Sequence, residues 1–179
     1  MRALLLALLI CLIGLMVPSV AAAEDNARYA LANGCFALAA PGGAQAGKDG
    51  AGGYKLGATP AETFRMKATA LGHYLLYGKS ADFLAGTPSN AVQTHPDPSD
   101  DANWQVDNAG TGRFTLWLPS QGKDLGVADG GALVLVGRGT GTIWSFERAD
   151  GCAAFPEADT NAIGTPTKGA SAYGEVRGM

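Results

Sequence analysis

The sequence predicts an all-β domain made of three copies of one unit of about forty residues, closed into a barrel. Three observations lead there. Phe64, Trp104 and Trp144 stand forty positions apart, and each is followed two residues later by an apolar partner, Met66, Val106 and Phe146. Between them lie short runs with apolar residues two apart, the mark of a half-buried strand, whereas helical periodicity is hard to find after residue 24. Glycines at positions 34, 53, 72, 122, 130, 131 and 151 punctuate those runs as turn residues.

Taken in order, the first unit reads as strands at Tyr29-Ala-Leu31, Phe36-Ala-Leu38, Tyr54-Lys-Leu56 and the closing Phe64-Arg-Met66. The second follows through Tyr74-Leu-Leu76 and Asp82-Phe-Leu84 to Trp104-Gln-Val106. The third holds Phe114-Thr-Leu116, Leu125-Gly-Val127, Leu133-Val-Leu135 and Trp144-Ser-Phe146. Residues 39–53 read as a flexible low-complexity loop by their Gly and Ala content. Residues 86–103, with Pro88, Pro96 and Pro98, read as a second exposed loop. Units this small cannot bury an apolar face alone, so the three must share one core and leave no free sheet edge.

This order of parts resembles the β-trefoil. The glycine-led turns together with Glu62-Thr63-Phe64 are most similar to its fascin-type branch. The ricin-type lectin branch is the poorer match, because its Gln-x-Trp motif is absent at both Trp104 and Trp144. The resemblance also implies that first and last strands lie together, which would bring Cys35 close to Cys152.

Ahead of the repeats, Arg2, an apolar run from Ala3 to Val17 and small residues at Ala21 and Ala23 fit a secretory signal peptide. Cleavage is expected after Ala23, giving a secreted or periplasmic protein with no membrane contact once the signal is removed. Cys11 goes with the signal. The domain is then expected over residues 24–156, with an extended tail or linker at 157–179. Two cysteines remain in it, and in an oxidising compartment an isolated pair is read first as a disulfide, the other reading being two buried thiols. Past residue 23 the charge is about −4 with no block of one sign, which disfavours nucleic acid and anionic membranes as partners.

No catalytic or cofactor signature stands out. His95, Asp97, Asp100 and Asp101 form the densest set of oxygen and nitrogen ligands, but lack EF-hand spacing and its closing Glu. His73, beside Gly72, reads as a turn or surface histidine. Gly78-Lys79-Ser80 lacks the first glycine of a phosphate loop, and Gly137-Arg138-Gly139 reads as a hairpin tip. The ligand-binding candidates are Trp117, which alternates outward from Phe114, Leu116 and Leu118, and Asp129.

From Tyr29 to Phe36, through Phe64 to Gly78, Asp82 to Ala85, Asp150 to Glu157 and Gly174 to Gly178, the chain is similar to the N-terminal β-domain of secreted bacterial metal-dependent hydrolases. These are of the amidohydrolase or membrane-dipeptidase type. The resemblance implies that a catalytic domain would follow Glu175-Val-Arg-Gly178, so the ending at Met179 looks interrupted. The expectation is a non-catalytic accessory module preceding such a hydrolase domain. The alternatives are a stand-alone binder of extracellular glycan, and a protease inhibitor presenting loop 39–53.

Overall fold

The computed structural model describes residues 26–160 and Ile163; the signal-peptide, Cys11 and residue 174–178 expectations lie outside them. Among the described residues twelve strands form three units of four. The first holds β1 (Cys35–Ala39), β2 (Ala46–Lys48), β3 (Tyr54–Leu56) and β4 (Thr63–Ala70). The second holds β5 (His73–Tyr77), β6 (Phe83–Gly86), β7 (Val92–His95) and β8 (Asn103–Asn108). The third holds β9 (Phe114–Leu118), β10 (Lys123–Val127), β11 (Leu133–Gly137) and β12 (Ser145–Arg148).

The outer strands of the units close a six-stranded barrel in which every neighbouring pair is antiparallel. β12 pairs with β1, β1 with β4, β4 with β5, β5 with β8 and β8 with β9. Phe114 and Trp144 complete the ring by exchanging both backbone hydrogen bonds, at 2.7 and 2.8 Å. The inner strands of each unit form hairpins, β2 with β3, β6 with β7 and β10 with β11, and bridges between them (Gly53 to Gln93, Lys55 to Ala132, Ala91 to Val134) draw them into a cap. Closure leaves no barrel edge open for pairing with another chain.

The forty-residue spacing is the spacing of the core. Phe64, Trp104 and Trp144 are buried at equivalent points, and Met66, Val106 and the partly buried Phe146 pack beside them. Phe36, Tyr74 and Phe114, then Leu38, Leu76 and Leu116, repeat the pattern on the first strand of each unit. Each such side chain contributes about 1.5–3 kcal/mol by burial. The two indoles are bound alike: Trp104 Nε1 donates to the Leu84 carbonyl at 2.8 Å and Trp144 Nε1 to the Leu125 carbonyl at 3.3 Å.

Three sequence expectations are corrected. Tyr29-Ala-Leu31 is not a strand but part of a 3-10 turn, Ala27–Leu31, which places Leu31 in the core and Arg28 over β8. Residues 39–53 are not all loop, since they contain β2. That strand reads Ala-Gly-Lys because residues 58–61 lie against it: a Cβ on Gly47 would come within 2.7 Å of the Pro60 carbonyl oxygen and 2.9 Å of Ala58 Cβ. Residues 86–103 likewise contain β7 and a 3-10 turn, Asp100–Ala102.

Cys35 and Cys152 form a disulfide, joining β1 to the chain just past β12. Beyond it Phe155 is buried in a second apolar cluster with Leu75, Tyr77, Phe83, Ala85 and Ala102 on the outer wall of the barrel. Glu157, where the extended tail or linker is expected to begin, bonds to Arg65 at 2.8 Å and to Lys67 at 3.1 Å and so rests on β4.

Candidate functional site

A group of polar side chains lies on the outer face of β8, the last strand of the second unit, and of β9 and β10 of the third. Alternation along these strands sends Trp104, Val106, Leu116 and Leu118 inward and therefore Gln105, Asp107, Thr115 and Trp117 outward. Register then sets Gln105 opposite Trp117, Asp107 opposite Thr115 and Asp124 opposite Trp117. Gly137-Arg138-Gly139 is not the expected hairpin tip but a turn after β11, at the open end of the β10 to β11 hairpin, and it brings Arg138 back across them.

Arg138 organises the group. Its guanidinium lies 4.5 Å from the centre of the Trp117 ring, donates to Asp124 at 2.8 Å and reaches Asp107 at 3.2 Å. Asp124 is the one buried charged residue among those described, at 2% exposure, and its second oxygen accepts the Gly139 amide. Burial works against the Arg138 charge, but hydrogen bonds to Asp124 and then Asp107 outweigh it, so its pKa lies above the ordinary value. Asp107 is held from the other side by Arg28 at 3.3 Å and by Gln105 at 2.8 Å. The indole Nε1 of Trp117 is buried and has no hydrogen-bond partner among the described residues.

Beside this network lies a cleft of about 390 Å3, lined by Asp107, Thr115, Asp124, Arg138, Gly139 and Ile143 among others. Asp107 and Asp124 line it with Arg138, and Arg28, outside the lining, pairs Asp107 from the other side, so the charges of the network cancel. A cation would compete with two arginines and an anion with two carboxylates. A neutral ligand offering hydroxyl donors and acceptors faces neither penalty, and its apolar faces find Ile143, which is 42% exposed.

His73 faces Gln105 across the β5 to β8 pair. Burial lowers its pKa below the ordinary 6.5, with Asp107 pulling the other way and Arg28 adding to the lowering. The folded chain thus favours neutral imidazole. As pH falls below 6.5 the unfolded chain takes up its proton first, so stability present above that pH is lost on acidification. The His73→Gln variant is expected to lack this increment, which urea midpoints of both proteins at about pH 7.5 and about pH 5.5 would show.

The other sequence candidates are not gathered into this site. Asp129 is exposed in the turn between β10 and β11, at the far end of β10 from Asp124. His95 bonds through Nδ1 to the Asp97 backbone, and Asp101 accepts from Ser120 and Gln121. Among the described residues no three His, Cys, Asp or Glu side chains converge on a metal position, and no helix is long and apolar enough to cross a membrane. Asp107, Asp124 and Arg138 were missed by sequence reading. The signal for Asp107 was its alternation from Trp104 and Val106, whereas nothing local marks Asp124 or Arg138 as partners.

No protein-family profile matches the sequence, and no curated protein does. Solved structures do resemble it. One is the designed threefold-symmetric protein ThreeFoil, at TM-score 0.56 and 18% identity over 64% of this chain and 99% of that one. Another is SeviL bound to the asialo-GM1 saccharide, at TM-score 0.56 and 18% identity over 65% of this chain and 98% of that one. A third is the Polyporus squamosus lectin bound to a Neu5Ac-Gal-GlcNAc epitope, at TM-score 0.54 and 11% identity over 65% of this chain and 49% of that one. With the closed six-stranded barrel, its cap of three hairpins and the threefold core, these likenesses establish the fold of the described chain as an all-β trefoil.

Proposed function

We propose that the chain is an exported, non-catalytic carbohydrate-binding protein whose ligand occupies the third-unit cleft. The observation that carries this reading is the charge-neutral set of Asp107, Asp124, Arg28 and Arg138 beside Trp117 and the exposed Ile143. Carboxylates accept and guanidiniums donate, so together they match the paired hydroxyls of a sugar ring. The nearby apolar surface suits the ring's C–H face. Two of the resembling structures hold saccharides, which supports the same class of ligand.

A glycan array tests it. The protein is expected to bind a restricted set of neutral glycans, and Trp117→Ala to lose about tenfold or more in affinity for them, because the ring that seats Arg138 is gone. A Thr115→Glu variant adds a bulkier charge at the cleft floor without touching the core and is expected to lose binding as well. Silence across the array would sink the reading.

A second reading, the module as the front part of a metal-dependent hydrolase, finds support in the docked tail. The Cys35–Cys152 bond and the Glu157 ion pairs fix where the chain leaves the barrel, as a following domain would require. Reading the DNA downstream of Met179 decides it: a hydrolase frame supports the association, and a genuine stop removes it. Of residues 39–53, which the inhibitor alternative would present, Ala46–Lys48 form β2, with turns on either side of it.

A further inference from the structure

The three units place equivalent residues around three equivalent outer clefts, and the registers make the comparison residue by residue. In the third unit Trp117 faces Gln105 and Asp124, and Thr115 faces Asp107. In the second, Tyr77 faces Arg65 and Phe83, and Leu75 faces Lys67. In the first, Ala39 faces Ser145 and Gln45, and Ala37 faces Glu147. The three clefts have different fates.

The first has alanine where an aromatic ring stands in the others, and its Gln45 is bonded to Glu147 at 2.6 Å. The second is filled by the chain's own tail. Phe155 packs edge-on to Tyr77 with ring centres 6.2 Å apart, Tyr77 donates to the Pro156 carbonyl at 2.8 Å, and Glu157 ends on Arg65 and Lys67. Three consecutive residues thus run along the wall from the aromatic position to the Lys67 position. An extended segment of that size covers about 10 Å. In the third the Arg138 guanidinium takes that place, 4.5 Å from the centre of the Trp117 ring and 3.2 Å from Asp107, and an open cleft lined by Thr115 and Ile143 remains beside it.

The third cleft also continues. Ile143 lines it and equally lines a neighbouring cleft of about 410 Å3 that contains Arg113, Ser145, Glu147 and the Pro41-Gly42-Gly43 turn. Each alone is in the range of roughly 300–1,000 Å3 typical of small-ligand sites. A single sugar would leave the Arg113 and Glu147 side without a contact, and it would leave Ile143 half solvated between two hollows.

We infer that the site takes an extended stretch of a linear, uncharged glycan chain, one per protein molecule. The glycan lies in the cleft beside Arg138, past Thr115, and continues over Ile143 toward Arg113 and Glu147. This rests on the carbohydrate-binding reading above and adds the length, path and number of ligands. The acidic tail meets Arg65 and Lys67 in its own cleft; the third cleft is lined by Thr115 and by Asp107 and Asp124, both already paired to arginines, which suit hydroxyls instead.

The test uses the disulfide-bonded full chain and an array that presents each neutral linear glycan as mono-, di-, tetra- and hexasaccharide, followed by titration calorimetry on the bound series. Affinity is expected to rise about tenfold or more from di- to tetrasaccharide, with a stoichiometry of one. Ile143→Asp, an exposed position whose folding is checked by thermal unfolding, is expected to weaken the hexasaccharide by about tenfold and the disaccharide by less. Equal affinity for mono- and hexasaccharide, or a stoichiometry of two or three, would overturn the extended single site while leaving carbohydrate binding intact. Failure of every glycan to bind would overturn both.

Discussion

Trp104→Ala is expected to cost about 3–5 kcal/mol, the range for emptying a large aromatic site in a packed core. Trp104 is fully buried, and its ring shares the core with Phe64 and Trp144 at the point where all three units meet. The barrel strands are tied into a closed ring of hydrogen bonds, so the walls cannot collapse far into the space, which keeps the loss toward the upper end. For a domain of this length the midpoint of thermal unfolding should fall by roughly 10–20 °C. Trp104→Phe separates the two parts of the effect. The first unit already carries Phe64 at the equivalent position, so a phenyl ring suits the site, and the remaining cost of about 1–2 kcal/mol reflects the lost bond to the Leu84 carbonyl and some volume. Calorimetric unfolding of both variants checks the ordering; equal losses would mean that volume is not what the position supplies.

Replacing both Cys35 and Cys152 by serine is expected to be the second large effect. Their bond spans 117 residues, and chain-entropy treatments assign about 4.7 kcal/mol to a loop of roughly 100, with measured losses of about 2–5 kcal/mol. The loss should be uneven in space. Once the covalent tie is gone the tail depends on non-covalent contacts at the outer wall, Phe155 on Tyr77 and Glu157 on Arg65 and Lys67, which open more readily than the closed barrel. Hydrogen exchange is therefore expected to speed up most at residues 151–158 and at β1, while the β8 to β9 pair changes least below the unfolding transition. Global denaturation at an unchanged urea midpoint would contradict the stabilising role.

How far the sequence reached differs between fold and site. The barrel was legible because its determinants are periodic. Inward positions must be apolar in all three units, so Phe64, Trp104 and Trp144 repeat at the period of the fold itself, and strand alternation identifies Trp117 as outward. Strands without side-chain signal escaped. β2 reads Ala-Gly-Lys because neighbouring backbone fills the space side chains would need, and that crowding exists only after folding. Tyr29 and Leu31 have strand-like spacing, yet a 3-10 turn also brings one of them inward.

Sequence alone, then, determined the all-β class, the threefold division, the aromatic core and the two cysteines, since these follow from which residues must leave water at what interval. Tertiary structure decided everything that depends on one unit meeting another. It set Arg138 between Asp107 and Asp124, separated by 31 and 14 positions, and joined Cys35 to Cys152. It also laid Phe155 to Glu157 into the second unit's cleft and left a cleft open beside Arg138 in the third. The physical reason is that burial acts residue by residue and writes a local pattern. Charge pairing and cleft formation act through space between segments whose spacing in the chain carries no record of their meeting.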